Sequence, residues 1–521
     1  MQDQKRITTD WTVFFISGGF LLLFIIVSFI NSDMVGNWIT ISFNKSAEFF
    51  GAYWQILLLG NFLIGLWLAV SKYGNVRLGN QEKPQYSYYR RVAMILTTLL
   101  ASGGVFWAAA EPMYHYMNTP PIEGGGEFNN LPAAFGHAFM HWGFVAWAML
   151  GTLSTVVMMY VHYSKGLPLQ PRAILYPIFG KRIYEKSFIG STADIISIIA
   201  VAAGTLGPLG FLGLQVGYGL HHLFGIPNSL TLSIFLVVGL VTIAAISAAS
   251  GIDRGIQLLS RINIGMTIVL AVVVLLIGPA MFILDMFVAG QGHYLQNFFS
   301  MSLYRGDSAW LGSWTIFFWG WFIGYGPMMA IFISRISRGR TIRELVIAVS
   351  VTAPIVSNIW FSIVGGTGVF LEQENPGSVS TFLSESGMPA AVMAIMDQLP
   401  FSTILAVGFI AVAIVFVATT ADTISYTVAV TLTGSDRPQS WLRVFWALIF
   451  GALSVVLLII GEGSITAIQN FIVVTAVPVS LLLLPPLWLG PQVAKQMALE
   501  QGIVEQKRRK VLVGKETIVN K

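Results

Sequence analysis

Long apolar stretches recur along the whole chain, separated by short polar loops. A helix that crosses the hydrocarbon core of a bilayer needs about 20 mostly apolar residues. Stretches of that kind fall at 11–31, 51–71, 91–117, 132–163, 192–222, 229–250, 256–288, 312–336, 342–371, 400–433, 440–461 and 466–489, twelve in all. No polar segment between them is long enough for a separate soluble domain. The pattern predicts an all-α polytopic membrane protein with about twelve transmembrane helices. The first stretch is long and lacks an A-x-A-like cleavage site, so it reads as a span and not as a removed leader.

Two spans are interrupted. Span 3 contains Ala101-Ser102-Gly103-Gly104 in its middle and Glu111-Pro112 near its end; span 8 contains Gly324-Tyr325-Gly326-Pro327. Glycine and proline free backbone groups that lipid cannot satisfy, so such breaks occur where backbone lines a cavity. Span 3 opens one run of five helices and span 8 opens another. Matched interruptions in two halves point to a transport site at an inverted-repeat interface. The competing reading is glycine used only for close helix packing.

Composition agrees with lipid as the solvent. Charged residues are 10% of the chain, against about 25% in a soluble domain, while hydrophobic residues reach 55% and mean hydropathy is +0.73. With no cysteine, disulfides, thiolate nucleophiles and Cys-ligated zinc or iron–sulfur clusters are excluded. The net charge of +5 does not imply nucleic acid, because the charges sit in loops. Lys72, Arg77, Lys83, Arg90 and Arg91 follow span 2. Lys165, Arg172, Lys181, Arg182 and Lys186 follow span 4, and Arg335, Arg338, Arg340 and Arg343 end span 8. The alternate segments 118–131 and 372–399 carry Glu123, Glu127, Glu372, Glu374, Glu385 and Asp397 with no Lys or Arg. Lone Lys45 and Arg305 are exceptions on that side. Lys and Arg mark cytoplasmic loops, which predicts a cell-membrane protein with both termini on the cytoplasmic side. The tail from Lys495, with Lys507-Arg508-Arg509-Lys510, reads as an interfacial anchor, or more specifically as a lipid-sensing arm.

Candidate chemistry is aromatic. Trp314 to Tyr325 is the densest aromatic run and leads into the Gly324–Pro327 segment; His141-Trp142 and Trp147 lie in span 4, and Tyr114 and Tyr116 follow the break in span 3. Membrane aromatics usually form interfacial belts, but Trp319, Trp321, Phe322 and Tyr325 fall near mid-span. Converging ring faces suit a quaternary ammonium, which has no N–H to donate and is held by cation–π attraction of about 0.5–2 kcal/mol per ring.

The run Gly312-Ser313-Trp314-Thr315-Ile316-Phe317-Phe318-Trp319-Gly320-Trp321, continued by Arg335-Ile336-Ser337-Arg338-Gly339-Arg340-Thr341-Ile342-Arg343-Glu344, closely resembles the signature of the betaine/carnitine/choline transporters. The resemblance implies twelve helices with LeuT-like five-helix inverted repeats. It divides the chain into two peripheral helices with an N-terminal segment at 1–90, a first repeat at 91–288, a connector at 289–311, a second repeat at 312–489 and a basic tail at 490–521. The family's aromatic box maps onto Trp142, Trp147, Trp321, Phe322 and Tyr325, with Tyr114 preferred to Tyr116 from span 3. Family members often have tryptophan where Phe322 and Tyr325 stand. Sodium-coupled betaine carriers have a methionine-containing glycine-rich run where this chain has Leu100-Ala101-Ser102-Gly103-Gly104.

The resemblance also implies a sodium ion as coupling ion, with no other cofactor. Its ligands map onto backbone oxygens of Thr97 and Leu100 and onto the segment of Phe416, Thr419 and Thr420; hard cations take oxygen ligands. Threonines that only bond back to the preceding turn are the alternative. Sodium-independent carnitine exchangers place an arginine where Asn263 lies, so a neutral residue there favours symport. The expected function is sodium-driven import of a betaine-type zwitterion such as glycine betaine, choline, carnitine or a sulfonium analogue. Exchange of the carnitine/butyrobetaine type is the alternative. The expected partners are that substrate, sodium and membrane lipid, with a homotrimer left open and no nucleic acid.

A membrane enzyme would need convergent acid–base or metal ligands, and the sequence offers none that converge by spacing; broken helices around an aromatic box argue against an open channel. His137 and His141 have i, i+4 spacing but lack the glutamate of H-E-x-x-H, so packing beside Trp142 is the reading for them. Glu111 and Asp422 are intramembrane acids, for which helix-end or backbone structural roles are favoured. Gly124-Gly125-Gly126 lacks the Lys-Ser/Thr of a phosphate loop.

Overall fold

The computed structural model describes residues 9–99, 103–128, 130–250, 253–435 and 437–505, with side chains at 97–99, 250 and 253–261 left aside. The Thr97 side chain, Leu100 and the basic run Lys507–Lys510 therefore lie outside the described residues. Among these residues the chain is all-helical. Its one pairing of extended backbone is an isolated bridge between Arg77 and Thr341. Among the described residues, nine helices are long and apolar enough to cross a membrane, and eleven segments qualify if each of two bent pairs is one span. The major helices are α1 (Trp11–Ile30), α2 (Ser32–Val70), α3 (Tyr88–Leu99), α4 (Val105–Met117), α5 (Leu131–His141), α6 (Phe144–Gly151), α7 (Leu153–Met159), α8 (Phe188–Phe224) and α9 (Leu230–Ser250). They continue as α10 (Asp253–Ile277), α11 (Ala280–Gln296), α12 (Phe317–Ile336), α13 (Ile342–Ile347), α14 (Ala353–Glu374), α15 (Ser402–Thr433), α16 (Ser440–Ile460), α17 (Thr466–Leu482) and α18 (Pro486–Glu500).

Polar residues start these helices by satisfying otherwise orphaned N–H groups. The Asp10 side chain accepts from the Val13 N–H at 3.2 Å, Asn31 from Met34 at 2.9 Å and Asn130 from Ala133 at 3.1 Å. Thr341 and Glu344 form a reciprocal capping box on α13. Gly225 ends α8 in the left-handed region at φ +67°, where a side chain would be strained.

Several spans differ from their expected bounds. Span 2 begins at Ser32 and not at residue 51. Its 39 residues reach roughly 58 Å at 1.5 Å per residue, more than a bilayer core, because polar Ser, Asn and Lys on its first half do not stop a helix. Span 7 ends at Ile277: Gly278-Pro279 turns the chain by 108° into α11, since proline supplies no N–H to continue the ladder. The segment read as a connector is thus largely helical. Span 12 bends by 43° into α18, whose Val493, Ala494, Met497 and Ala498 are buried, so the first part of the tail is a packed helix.

The interruptions also move. In span 3, α3 ends at Leu99 and α4 begins at Val105, and Ala101-Ser102 of the predicted interruption lie outside the described residues. In span 8, however, α12 runs unbroken through Gly324–Pro327, and the irregular turn is a wider one at Gly312–Ile316. Gly324 and Gly326 serve close packing instead: Cβ atoms there would lie 3.5 Å from the Ala200 carbonyl oxygen and 2.9 Å from the Leu483 side chain. Span 4, expected to be continuous, is broken twice, after His141 and at Thr152.

The basic loops share one face. The Leu78 N–H donates to the Arg340 carbonyl, and the Gly339 N–H to that of Leu78, both at 2.8 Å. The Arg338 guanidinium lies over the Tyr163 ring, 4.9 Å from its centre, and Gln501 exchanges two hydrogen bonds with the Arg77 backbone. On the acidic loops, Glu123 contacts His293 and Asp397 contacts His222, each at 2.9 Å. Among the described residues, two arginine–aspartate pairs lie inside. Asp422 accepts from Arg443 at 2.8 Å, a side-chain ion pair and not the helix-end or backbone role expected for this acid. Arg172 donates from its backbone N–H and its Nε to Asp194, at 2.9 and 2.6 Å, and from Nη2 to Asp10.

Removing one member of a buried pair strands the other's charge and costs about 3–5 kcal/mol. Arg172→Ala, which strands an Asp194 that is 1% exposed, should therefore lower the thermal unfolding midpoint in detergent markedly. Arg437→Ala, at an exposed position, should leave it nearly unchanged. Fluorescence-detected size exclusion after heating reads both.

Candidate functional site

The site grows from the first break in span 4. At Trp142 the backbone leaves the helix (φ −103°, ψ 20°) and Gly143 is extended (ψ −157°). A Cβ on Gly143 would sit 2.2 Å from the Phe139 carbonyl oxygen and 2.7 Å from the Tyr294 hydroxyl, so glycine is required to turn here. The break leaves Trp142 at the end of α5 and Trp147 on α6, both facing the aromatic run of α12.

Four of the predicted box residues interlock. Trp142 stands edge-to-face with Trp321 (centroids 6.1 Å apart) and Phe322 (5.7 Å), and Trp147 meets Phe322 at 6.3 Å. Tyr325 joins through α8: Cβ atoms built on Gly204 would lie 2.4 Å from its ring and 3.4 Å from that of Trp321. All five rings are at most 4% exposed. The indole N–H groups of two of them are committed to the protein. Trp321 Nε1 donates to the Gly204 carbonyl and Trp142 Nε1 to Glu111 Oε2, each at 3.0 Å. These two rings present π-surface to a ligand, while Trp147 Nε1 and the Tyr325 hydroxyl have no hydrogen-bond partner among the described residues. Tyr114 is not brought to this group; it is half-buried against Trp314 at 4.7 Å. Tyr116 pairs with Phe128.

Glycines set how closely the helices approach. A Cβ on Gly103 would meet Trp321 at 2.6 Å and Trp142 at 2.8 Å, and one on Gly207 would meet Trp321 at 2.9 Å. The glycine pair of span 3 thus lies against the box, and Trp360 Nε1 donates to the Gly104 carbonyl at 3.0 Å. Phe317, from the aromatic run, and Phe211 and Phe361, absent from the sequence reading, complete the surround at 5.3–5.8 Å from Trp321 or Trp142. The only signal for Phe211 and Phe361 in the sequence was aromatic character among many apolar residues.

The sodium candidates Phe416, Thr419 and Thr420 lie on α15. Thr419 Oγ1 donates to the Val415 and Phe416 carbonyls at 2.9 and 3.1 Å, the backward bond of the alternative reading. Thr420 is buried. Phe416 borders an apolar cavity of about 460 Å³ shared with Val105, Ile268 and Trp360.

Histidines that the sequence assigned to packing form a polar cluster instead. His141 Nδ1 lies 2.6 Å from Glu111 Oε1, and His141 Nε2 lies 3.0 Å from the Thr315 hydroxyl. His115 Nε2 is 3.4 Å from the same Glu111 oxygen. Glu123, in the loop, is reached by His137 and His293; these two imidazoles pull its carboxyl down to about 2. The clue was Glu111 itself, an acid in a span.

An all-helical bundle that buries an aromatic box between broken spans is the architecture of a multi-pass membrane carrier. The chain belongs to the betaine/carnitine/choline transporter family, whose model matches residues 12–499; it is a transporter and not an enzyme. It is 49% identical over 501 residues to glycine betaine transporter 2 of Vibrio parahaemolyticus, covering 96% of this chain and 93% of that protein. It is 32% identical to an ectoine/hydroxyectoine transporter of Virgibacillus pantothenticus, with 92% and 95% covered. With the glycine betaine transporter OpuD of Bacillus subtilis the identity is 33%, with 83% and 84% covered.

Because Gly103 abuts two rings of the box, Gly103→Ala should cut substrate uptake at least tenfold, while Gly19→Ala, with nothing within 4 Å of its Cβ position, should not. Initial uptake rates normalised to surface expression test this.

Proposed function

We propose that the chain imports betaine-type quaternary ammonium or sulfonium zwitterions, glycine betaine first among them, by sodium symport with both termini in the cytoplasm. The observation that carries this is the box itself. Its two tryptophans nearest one another have their N–H groups bonded within the protein, so the rings present faces and not donors. Such a surface attracts a cation that needs no hydrogen bonds. The names of the relatives support the same substrate class. Residue 263 is a neutral, buried asparagine, which supports symport over an exchanger with a fixed cation. Thr419 and Thr420 would provide side-chain oxygens to the sodium.

Trp321→Ala removes one ring face and should raise the KM for glycine betaine at least tenfold, about 1.4 kcal/mol; Trp321→Phe should recover part of it. Glycine, whose N–H groups lose water and find few acceptors among rings, should bind far more weakly than glycine betaine. Normal uptake by the alanine variant, or equal affinity for the two ligands, would remove the box from the substrate path. Isotope uptake and tryptophan fluorescence measure these.

For coupling, replacing sodium by potassium at constant osmolarity should abolish concentrative uptake, and Thr419→Ala/Thr420→Ala should demand more sodium for half-maximal rate. Undiminished uptake in potassium would transfer the assignment to exchange.

A further inference from the structure

The carboxyl of Glu111 and the imidazoles of His115 and His141 are all fully buried. Among the described residues, the ion-pairing partners of Glu111 are these two histidines alone. An ionised Glu111 between two neutral imidazoles would leave one uncompensated negative charge inside the membrane, which is strongly unfavourable without a partner cation. One added proton neutralises the group, and the 2.6 Å contact between Glu111 Oε1 and His141 Nδ1 is where it can be shared. The cluster also joins the helices that build the box: Glu111 lies on α4, His141 on α5, and Thr315 in the wide turn that precedes α12.

A route leads from this pair to the acidic loop face. His115 lies 3.4 Å from Glu111, its ring centre is 5.9 Å from that of His137, and His137 lies 3.4 Å from Glu123, which His293 also contacts. No ring nitrogen of His115 or His137 has a hydrogen bond of good geometry among the described residues, and one water can bridge the gap between the two rings. The other titratable groups nearby are accounted for. Asp307 caps the turn of Trp310, Tyr304 rests on Trp310, and the Tyr114 ring lies 6.3 Å from that of His115.

We propose that Glu111, His115 and His141 form a proton-binding site, reached through His137, Glu123 and His293, whose proton is released when a quaternary ammonium enters the aromatic box. The sign follows from Trp142, whose indole N–H bonds Glu111 while its ring forms a wall of the box. A cation against that ring favours the ionised carboxylate, and by linkage acid weakens ligand affinity by the same coupling. The inference rests on the proposed substrate class for its ligand.

The test uses the purified full-length protein and glycine betaine. Calorimetric titration in buffers of different ionisation enthalpy should give a heat that varies with the buffer in the sense of proton release. The Kd should rise by up to tenfold per pH unit on acidification across the titration of the pair. Glu111→Gln keeps an oxygen for Trp142 Nε1 and removes the titrating group, so binding should persist with a Kd that no longer depends on pH. Buffer-independent heat in the wild type, with betaine bound, overturns the proposal whatever the variant does. So does unchanged linkage in Glu111→Gln. The same three side chains bring ligand atoms within 4.8 Å of one another, so stoichiometric zinc in the purified protein would overturn it in favour of a metal site. No betaine binding at all would instead remove the substrate reading, and the linkage with it.

Discussion

Glu111 accepts from the Trp142 indole on one oxygen and meets His141 on the other, and His141 reaches on to Thr315 beside the aromatic run of α12. Three chain segments that are far apart in sequence are registered by this one carboxylate. A buried carboxylate left without partners would cost several kcal/mol, so the arrangement is specified by a penalty for everything else. The orientation of Trp142, and through it the edge-to-face contacts with Trp321 and Phe322, depends on that constraint.

Around it the helices approach as closely as glycine allows. Gly103, Gly204 and Gly207 stand where any side chain would strike Trp321, Trp142 or Tyr325. In lipid there is no hydrophobic drive to bring helices together, so close van der Waals packing and interhelical hydrogen bonds do that work. The bonds from Trp321 to Gly204 and from Trp360 to Gly104 are of that kind: each donates an indole N–H to a backbone carbonyl that glycine leaves accessible. The first of these both ties α12 to α8 and occupies the N–H of Trp321.

The basic loops pack on one another, and the acidic loops make their own contacts with histidines. The loop that carries Glu123 is more than a connector, since this residue ties residues of α5 and α11 together.

The sequence alone determined the lipid-embedded helical class and the family, because apolar stretches of span length and the aromatic signature are local properties. It also marked Trp142, Trp147, Trp321, Phe322 and Tyr325 as a group, through resemblance, and the structure brings them together. It did not determine where helices bend. The glycines and proline of 324–327 were as good a local signal for a break as Trp142-Gly143 or Gly278-Pro279, yet α12 runs through the first while the chain turns at the others; Gly326 packs under Leu483, and a side chain at Gly143 would strike the Phe139 carbonyl and Tyr294. Tyr114 faces Trp314 and not the box, because one helical position changes which neighbour a ring meets. The histidines escaped for the same reason. His115, His137 and His141 become a polar cluster only when α4 and α5 lie side by side around Glu111, and charge compensation across helices leaves no trace in the spacing along any one of them.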